Sequence, residues 1–160
     1  MTAKTPSLIP VLTLTFLCSM GTGVFWNGIS FIADHQYDFT QNRTLILYIL
    51  MGLVYTVGAF TSGRVVRRVR PFVAPRTLLG GVIGAQAILC IMPVLIGSEW
   101  VLWAVSLLVN YAASMLWPLV ESYLTAGRHG HDMRSAIGWF NFVWTTAVTL
   151  AMLLMAFVLE

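Results

Sequence analysis

A chain of 160 residues that is 58% apolar and only 9% charged, with a mean hydropathy of +0.82, is too apolar for a soluble domain, whose charged fraction is usually about 25%. The composition predicts an integral membrane protein. Its formal charge of +3 and pI near 9.2 do not point to nucleic acid, because the basic residues sit in connections between apolar runs rather than over a solvated face.

The chain opens with Lys4 and an apolar run from Leu8, a pattern that also begins a cleaved signal peptide. The run continues past the roughly 7–15 apolar residues of such a peptide and no A-x-A-like site ends it, so it is read as a retained first span. Five stretches supply the roughly 20 residues needed to cross a bilayer: 8–33, 44–63, 77–97, 100–125 and 135–159. Helices are expected, since a chain in lipid must satisfy its own backbone hydrogen bonds. The expected fold is therefore all-α, a polytopic membrane protein with five transmembrane helices in a single membrane domain, 1–160. Cys18 and Cys90 fall inside these spans without His or acid neighbours at ligand spacing and read as packing residues.

The connection 64–76 carries Arg64, Arg67, Arg68, Arg70 and Arg76, two prolines and no acid. Short loops rich in Lys and Arg stay in the cytoplasm. Fixing this basic loop inside also places Lys4, Arg128 and Arg134 inside, so that eight of the nine basic residues, all but Arg43, share one side. Asp34, Asp38, Glu99 and Glu160 collect with Arg43 on the other. The expected topology is N-in/C-out in the cytoplasmic (plasma or inner) membrane.

An odd number of spans invites a search for internal symmetry. Setting Trp26 on Trp117, an offset of 91, aligns Gly21-Thr-Gly-Val-Phe-Trp-Asn27 with Ala112-Ala-Ser-Met-Leu-Trp-Pro118. The same offset sets Arg43-Thr-Leu-Ile-Leu-Tyr48 on Arg134-Ser-Ala-Ile-Gly-Trp139. Chance similarity between apolar helices is the competing explanation. On the repeat reading spans 1 and 4 correspond, as do 2 and 5, in two inverted copies of three helices, of which the chain holds three plus two.

Over essentially all of its 160 residues the chain resembles the N-terminal half of a major facilitator superfamily transporter. The resemblance rests on the N-in helix order, the short basic loop after span 2, the run Leu116-Trp-Pro-Leu-Val-Glu-Ser-Tyr123, and Arg134-Ser-Ala-Ile-Gly-Trp-Phe-Asn-Phe-Val-Trp144 after a polar loop. It implies a six-helix bundle paired with a second one around a central solute site, so a sixth helix and a C-terminal half are expected beyond this chain. In the family's loop motif, Arg67 here replaces the Asp and Arg70 the second Gly, while Ser106 stands near the helix 4 position that is basic in many proton-coupled members.

No catalytic, cofactor or metal constellation is present in the sequence: His35, His129 and His131 lie in loops without a partnered nucleophile or ligand spacing. Gly80 and Gly84 form a G-x-x-x-G, read as a close helix contact. Polar residues within spans are more informative, because they face a bundle interior or a wet cavity. Span 4 sets Asn110, Ser114, Trp117 and Glu121 on one stripe; span 5 does so with Gly138, Asn141, Thr145 and Thr149, and span 1 offers Gly23, Asn27 and Ser30. Asn27, Asn110, Trp117, Asn141 and Trp144 are the cavity-lining candidates, with interhelical bonding equally open for the three amides. Ser30, Ser114, Thr145 and Thr149 are expected to bond neighbouring helices, through hydrogen bonds that average below about 1 kcal/mol each.

Glu121 is the one acid inside an expected span. Its place near the basic side favours an ion pair with Arg67 or Arg68 over proton coupling, which uses acids near the midplane. The resemblance implies that such a pair gates one conformation. The expected function is passive or secondary transport of a small solute by alternating access. The expected partners are the lipid bilayer, the solute, and a C-terminal half, a second subunit or further copies of the chain; nucleic acid is not among them. The alternatives are a small membrane scaffold, using Gly80 and Gly84 and the small residues of span 1 as interfaces, or a nonfunctional transporter fragment.

Overall fold

The computed structural model describes residues 7–159; Lys4 and Glu160, which the topology argument places on opposite sides, lie outside the described residues. The described residues form five helices: α1 (Leu8–Tyr37), α2 (Gln41–Val69), α3 (Pro75–Ile96), α4 (Glu99–Thr125) and α5 (Gly130–Leu159). All five are long and apolar enough to cross a membrane, the architecture of a multi-pass membrane protein. Each contains its expected apolar run except for Gly97, which caps α3 in a left-handed conformation (φ 62°).

The helices outrun the apolar stretches at their polar ends. Residues 64–69 belong to α2, so Arg64, Arg67 and Arg68 ride on a helix and not in a loop. Arginine is a good helix former, and its charge near the C-terminus is favoured by the carbonyl end of the helix. The chain turns only over 70–74, with the Val69 carbonyl accepting from the Phe72 and Val73 amides at 2.9 and 3.0 Å. Pro75 then opens α3, at a position where its missing N–H is no loss. His131 and Arg134, expected in a loop, likewise sit in the first turns of α5.

The chain divides into two compact units, 29–117 and the remainder, up to Gly28 and from Pro118 onward. In the first, Leu102, Val105, Ser106, Val109, Asn110, Ala113 and Leu116 form one buried face of α4. The spacing of three and four residues is that of a single helical stripe. Half of the α4 span is buried against 11–22% for the other helices, which makes α4 the most enclosed helix of the chain.

Gly58 sets the approach of α2 to α4. A Cβ there would overlap Ser114 Oγ and lie 3.0 Å from Ser114 Cβ and 3.1 Å from Tyr111 Cδ2. Beside it, Thr61 Oγ1 and the Tyr111 hydroxyl are 3.3 Å apart. The close contact expected at Gly80 and Gly84 is not made among the described residues, since nothing lies within 4 Å of a Cβ added at either. Instead α3 buries Leu79 and Pro93, and Gln86 Nε2 donates to the Val109 carbonyl at 3.4 Å.

In the second unit α1 packs on α5 through small residues. A Cβ at Gly23 would sit 3.0 Å from Ala151 Cβ, and one at Gly28 would sit 3.4 Å from Met155 Cε. Ala147 and Ala151 are fully buried. Gly23, grouped above with the polar residues of span 1, is thus a packing position.

Candidate functional site

The five cavity candidates divide between the two units and differ in environment. Asn110 and Trp117 belong to the first; Asn27, Asn141 and Trp144 belong to the second. Asn110 is wholly buried. Its Nδ2 donates to the Ser106 carbonyl at 2.8 Å, while its Oδ1 has no partner among the described residues. Asn27 is half-buried, with Nδ2 donating to the Gly23 carbonyl at 2.7 Å, and Trp117 is half-buried.

Asn141 and Trp144 lie on an exposed face of α5. Thr145 and Thr149 follow Asn141 on the same face and are also exposed. The sequence predicts bonds to neighbouring helices, but among the described residues both hydroxyls donate to the carbonyls one turn back: Thr145 to Asn141 at 2.8 Å and Thr149 to Thr145 at 2.9 Å. A threonine that returns its proton to its own helix needs no partner, so both hydroxyls can face outward.

Glu121 is exposed near the end of α4 and forms no ion pair within its own unit. Arg67 and Arg68 are exposed in the last turn of α2 and are likewise unpaired within theirs. Among the described residues no three His, Cys, Asp or Glu side chains gather as a metal site.

Two arrangements escaped the sequence reading. In the first, the Arg43 guanidinium bonds the Glu99 carboxylate and joins the start of α2 to the start of α4. Trp103 Nε1 donates to the same Glu99 oxygen at 3.3 Å. Arg43 also lies 4.6 Å over the Phe39 ring, whose centroid is 5.6 Å from that of Trp103. The signal was available, because Arg43 is the lone base in a group of acids. The pair is half-exposed, so Glu99→Gln and Arg43→Gln should each cost only about 0.5–1 kcal/mol in denaturant titrations of the detergent-solubilised protein. The double variant should cost little more than either single one, and full additivity would show that the two side chains act independently.

The second arrangement is Arg128, 8% exposed, whose Nη1 donates to the Leu124 carbonyl at 2.6 Å and the Tyr123 carbonyl at 3.4 Å. Both are carbonyls of the last turn of α4, the end at which a helix presents acceptors to partners beyond its own ladder. Counting loop charges treats Arg128 and Arg134 alike; the structure separates a buried cap from an exposed residue.

Compared with protein families, curated proteins and solved structures, the chain shows no match.

Proposed function

We propose that the chain forms the N-terminal part of a major facilitator type secondary transporter that moves a small solute across the cytoplasmic membrane by alternating access, with its N-terminus inside and its C-terminus outside. The observation that carries this reading is the exposed line Asn141, Thr145, Thr149 on α5. The Asn141 side chain makes no hydrogen bond among the described residues. An amide held against hydrocarbon without a partner is costly, so this line is built to meet water, solute or another polar surface. The one-sided distribution of basic residues supports the orientation.

The test is thiol labelling in membranes, with Cys18 and Cys90 first replaced by serine. Asn141→Cys and Thr145→Cys should react with a membrane-impermeant thiol reagent much faster than Leu153→Cys, which is exposed on an apolar part of the same helix. Equal, slow reaction at all three positions would remove the wet pathway and with it the transport reading. Glu121 is assigned the gating role; unchanged transport kinetics in Glu121→Gln would count against it.

One observation favours the scaffold reading, the open face at Gly80 and Gly84. If association is the function, isoleucine at both positions should abolish self-association while leaving the α5 labelling pattern unchanged.

A further inference from the structure

The side chains of Arg64, Arg67 and Arg68 stand at i, i+3 and i+4 on α2 and therefore share a face. Together they border an open surface hollow of about 360 Å³. None of the three is ion-paired within its unit, and neither is Arg70 or Arg76. Arg64 Nη1 donates to the Phe60 carbonyl of its own helix at 3.3 Å. Five like charges are thus gathered in 64–76 without an acid in that stretch. Such a cluster repels itself unless an anion sits among its members.

The turn that follows adds a second chemistry. Phe72 is 87% exposed, at the tip of 70–74 between Arg70 and Arg76 and flanked by Pro71 and Val73. An exposed aromatic ring amid basic residues at the end of a membrane-spanning helix suits the boundary between headgroups and acyl chains, with the ring on the apolar side and the charges on the polar side.

We infer that the C-terminal end of α2 and the 70–74 turn form a binding site for the phosphodiester headgroup of an anionic lipid, held by Arg64, Arg67 and Arg68 and anchored beside the acyl chains by Phe72. Guanidinium groups bind phosphate oxygens through two parallel N–H donors, which an ammonium does not provide. The site keeps its occupant in the membrane plane, next to the helix end whose three arginines it neutralises. This inference rests on the membrane architecture and stands apart from the transport reading.

The test uses the purified full chain in detergent, with lipid adducts counted by native mass spectrometry after addition of phosphatidylglycerol or phosphatidylcholine. The wild type should retain phosphatidylglycerol in preference to phosphatidylcholine. Arg64→Gln/Arg67→Gln/Arg68→Gln should cut that preference by about tenfold or more, as expected for three basic groups near an anionic surface. Equal retention of the two lipids, or an unchanged preference in the triple variant, overturns the site. Should the glutamine variant fail to fold, the triple lysine variant keeps the charge and removes the planar fork. It should bind phosphatidylglycerol several-fold more weakly, and unchanged binding overturns the guanidinium site. Inorganic phosphate at millimolar concentration should leave the lipid adducts in place; displacement would show a site for soluble phosphate and overturn the lipid assignment.

Discussion

Gly58→Ala should destabilise the protein, whereas Gly52→Ala, six residues earlier on the same helix, should not. Alanine is the better helix former by about 0.8–1 kcal/mol, and at Gly52 nothing within 4 Å opposes a new methyl group. At Gly58 the methyl meets Ser114 and Tyr111 of α4. The Ser114 hydroxyl cannot turn aside freely, because it already donates to the Tyr111 carbonyl at 2.6 Å. Its Cβ, 3.0 Å from the added methyl, cannot turn aside at all. Forcing extra volume into a packed contact costs about 1–3 kcal/mol, enough to overcome the propensity gain. A leucine at Gly58 should separate α2 from α4 and abolish the folded species in detergent. Ser114→Gly combined with Gly58→Ala should cost less than the sum of the single changes, since it clears most of the clash. If Gly58→Ala proves as stable as Gly52→Ala in a denaturant titration, the close α2–α4 approach is not formed.

That contact marks the limit of what the sequence discloses. The five spans were legible because a run of about 20 apolar residues has few other uses in a chain, and, apart from the capping Gly97, the runs fall within the observed helices. The ends were less legible. Polar ends leave the apolar pattern while the backbone continues its hydrogen bonds, so Arg64, Arg67 and Arg68 read as loop although they are helical. Tertiary use of glycine was not legible at all. Gly80 and Gly84 have the spacing of an interface motif and face open space, whereas the isolated Gly58 makes the tight contact. A spacing rule describes one helix, and the contact depends on which residue of a second helix lies opposite.

The polar stripes show the same division. Helical periodicity correctly grouped Asn110 with Ser114, and both are buried on one face of α4. It also grouped Asn141 with Thr145 and Thr149, and these are exposed. Periodicity states which residues share a face; whether that face turns toward the protein or away depends on neighbours that the helix's own sequence does not contain. The α5 line is therefore exposed and the α4 stripe buried, although the two have the same spacing. Asn110 contributes instead a buried amide with an unpartnered oxygen, a cost of about 1–3 kcal/mol when nothing else satisfies it.

Arg128→Met should produce the largest loss of stability among single changes to the basic residues. The methionine keeps an unbranched stem of similar reach and removes the guanidinium, which leaves the Leu124 and Tyr123 carbonyls without the donor that now reaches them at 2.6 and 3.4 Å. A hydrogen bond from a charged donor contributes about 1.5–3 kcal/mol, and the positive charge at the carbonyl end of α4 adds to it. The preceding residue takes part in the same geometry: Gly127 is left-handed (φ 69°), so the chain turns there and brings Arg128 back over the end of the helix. Arg128→Lys keeps the charge and a single-point donor and should recover part of the loss. Arg134→Met supplies the control, because it removes the same charge from an exposed position on the far side of the connection. It should leave the unfolding midpoint near that of the wild type. Equal losses in Arg128→Met and Arg134→Met would assign the effect to the number of charges in the connection and not to the cap on α4.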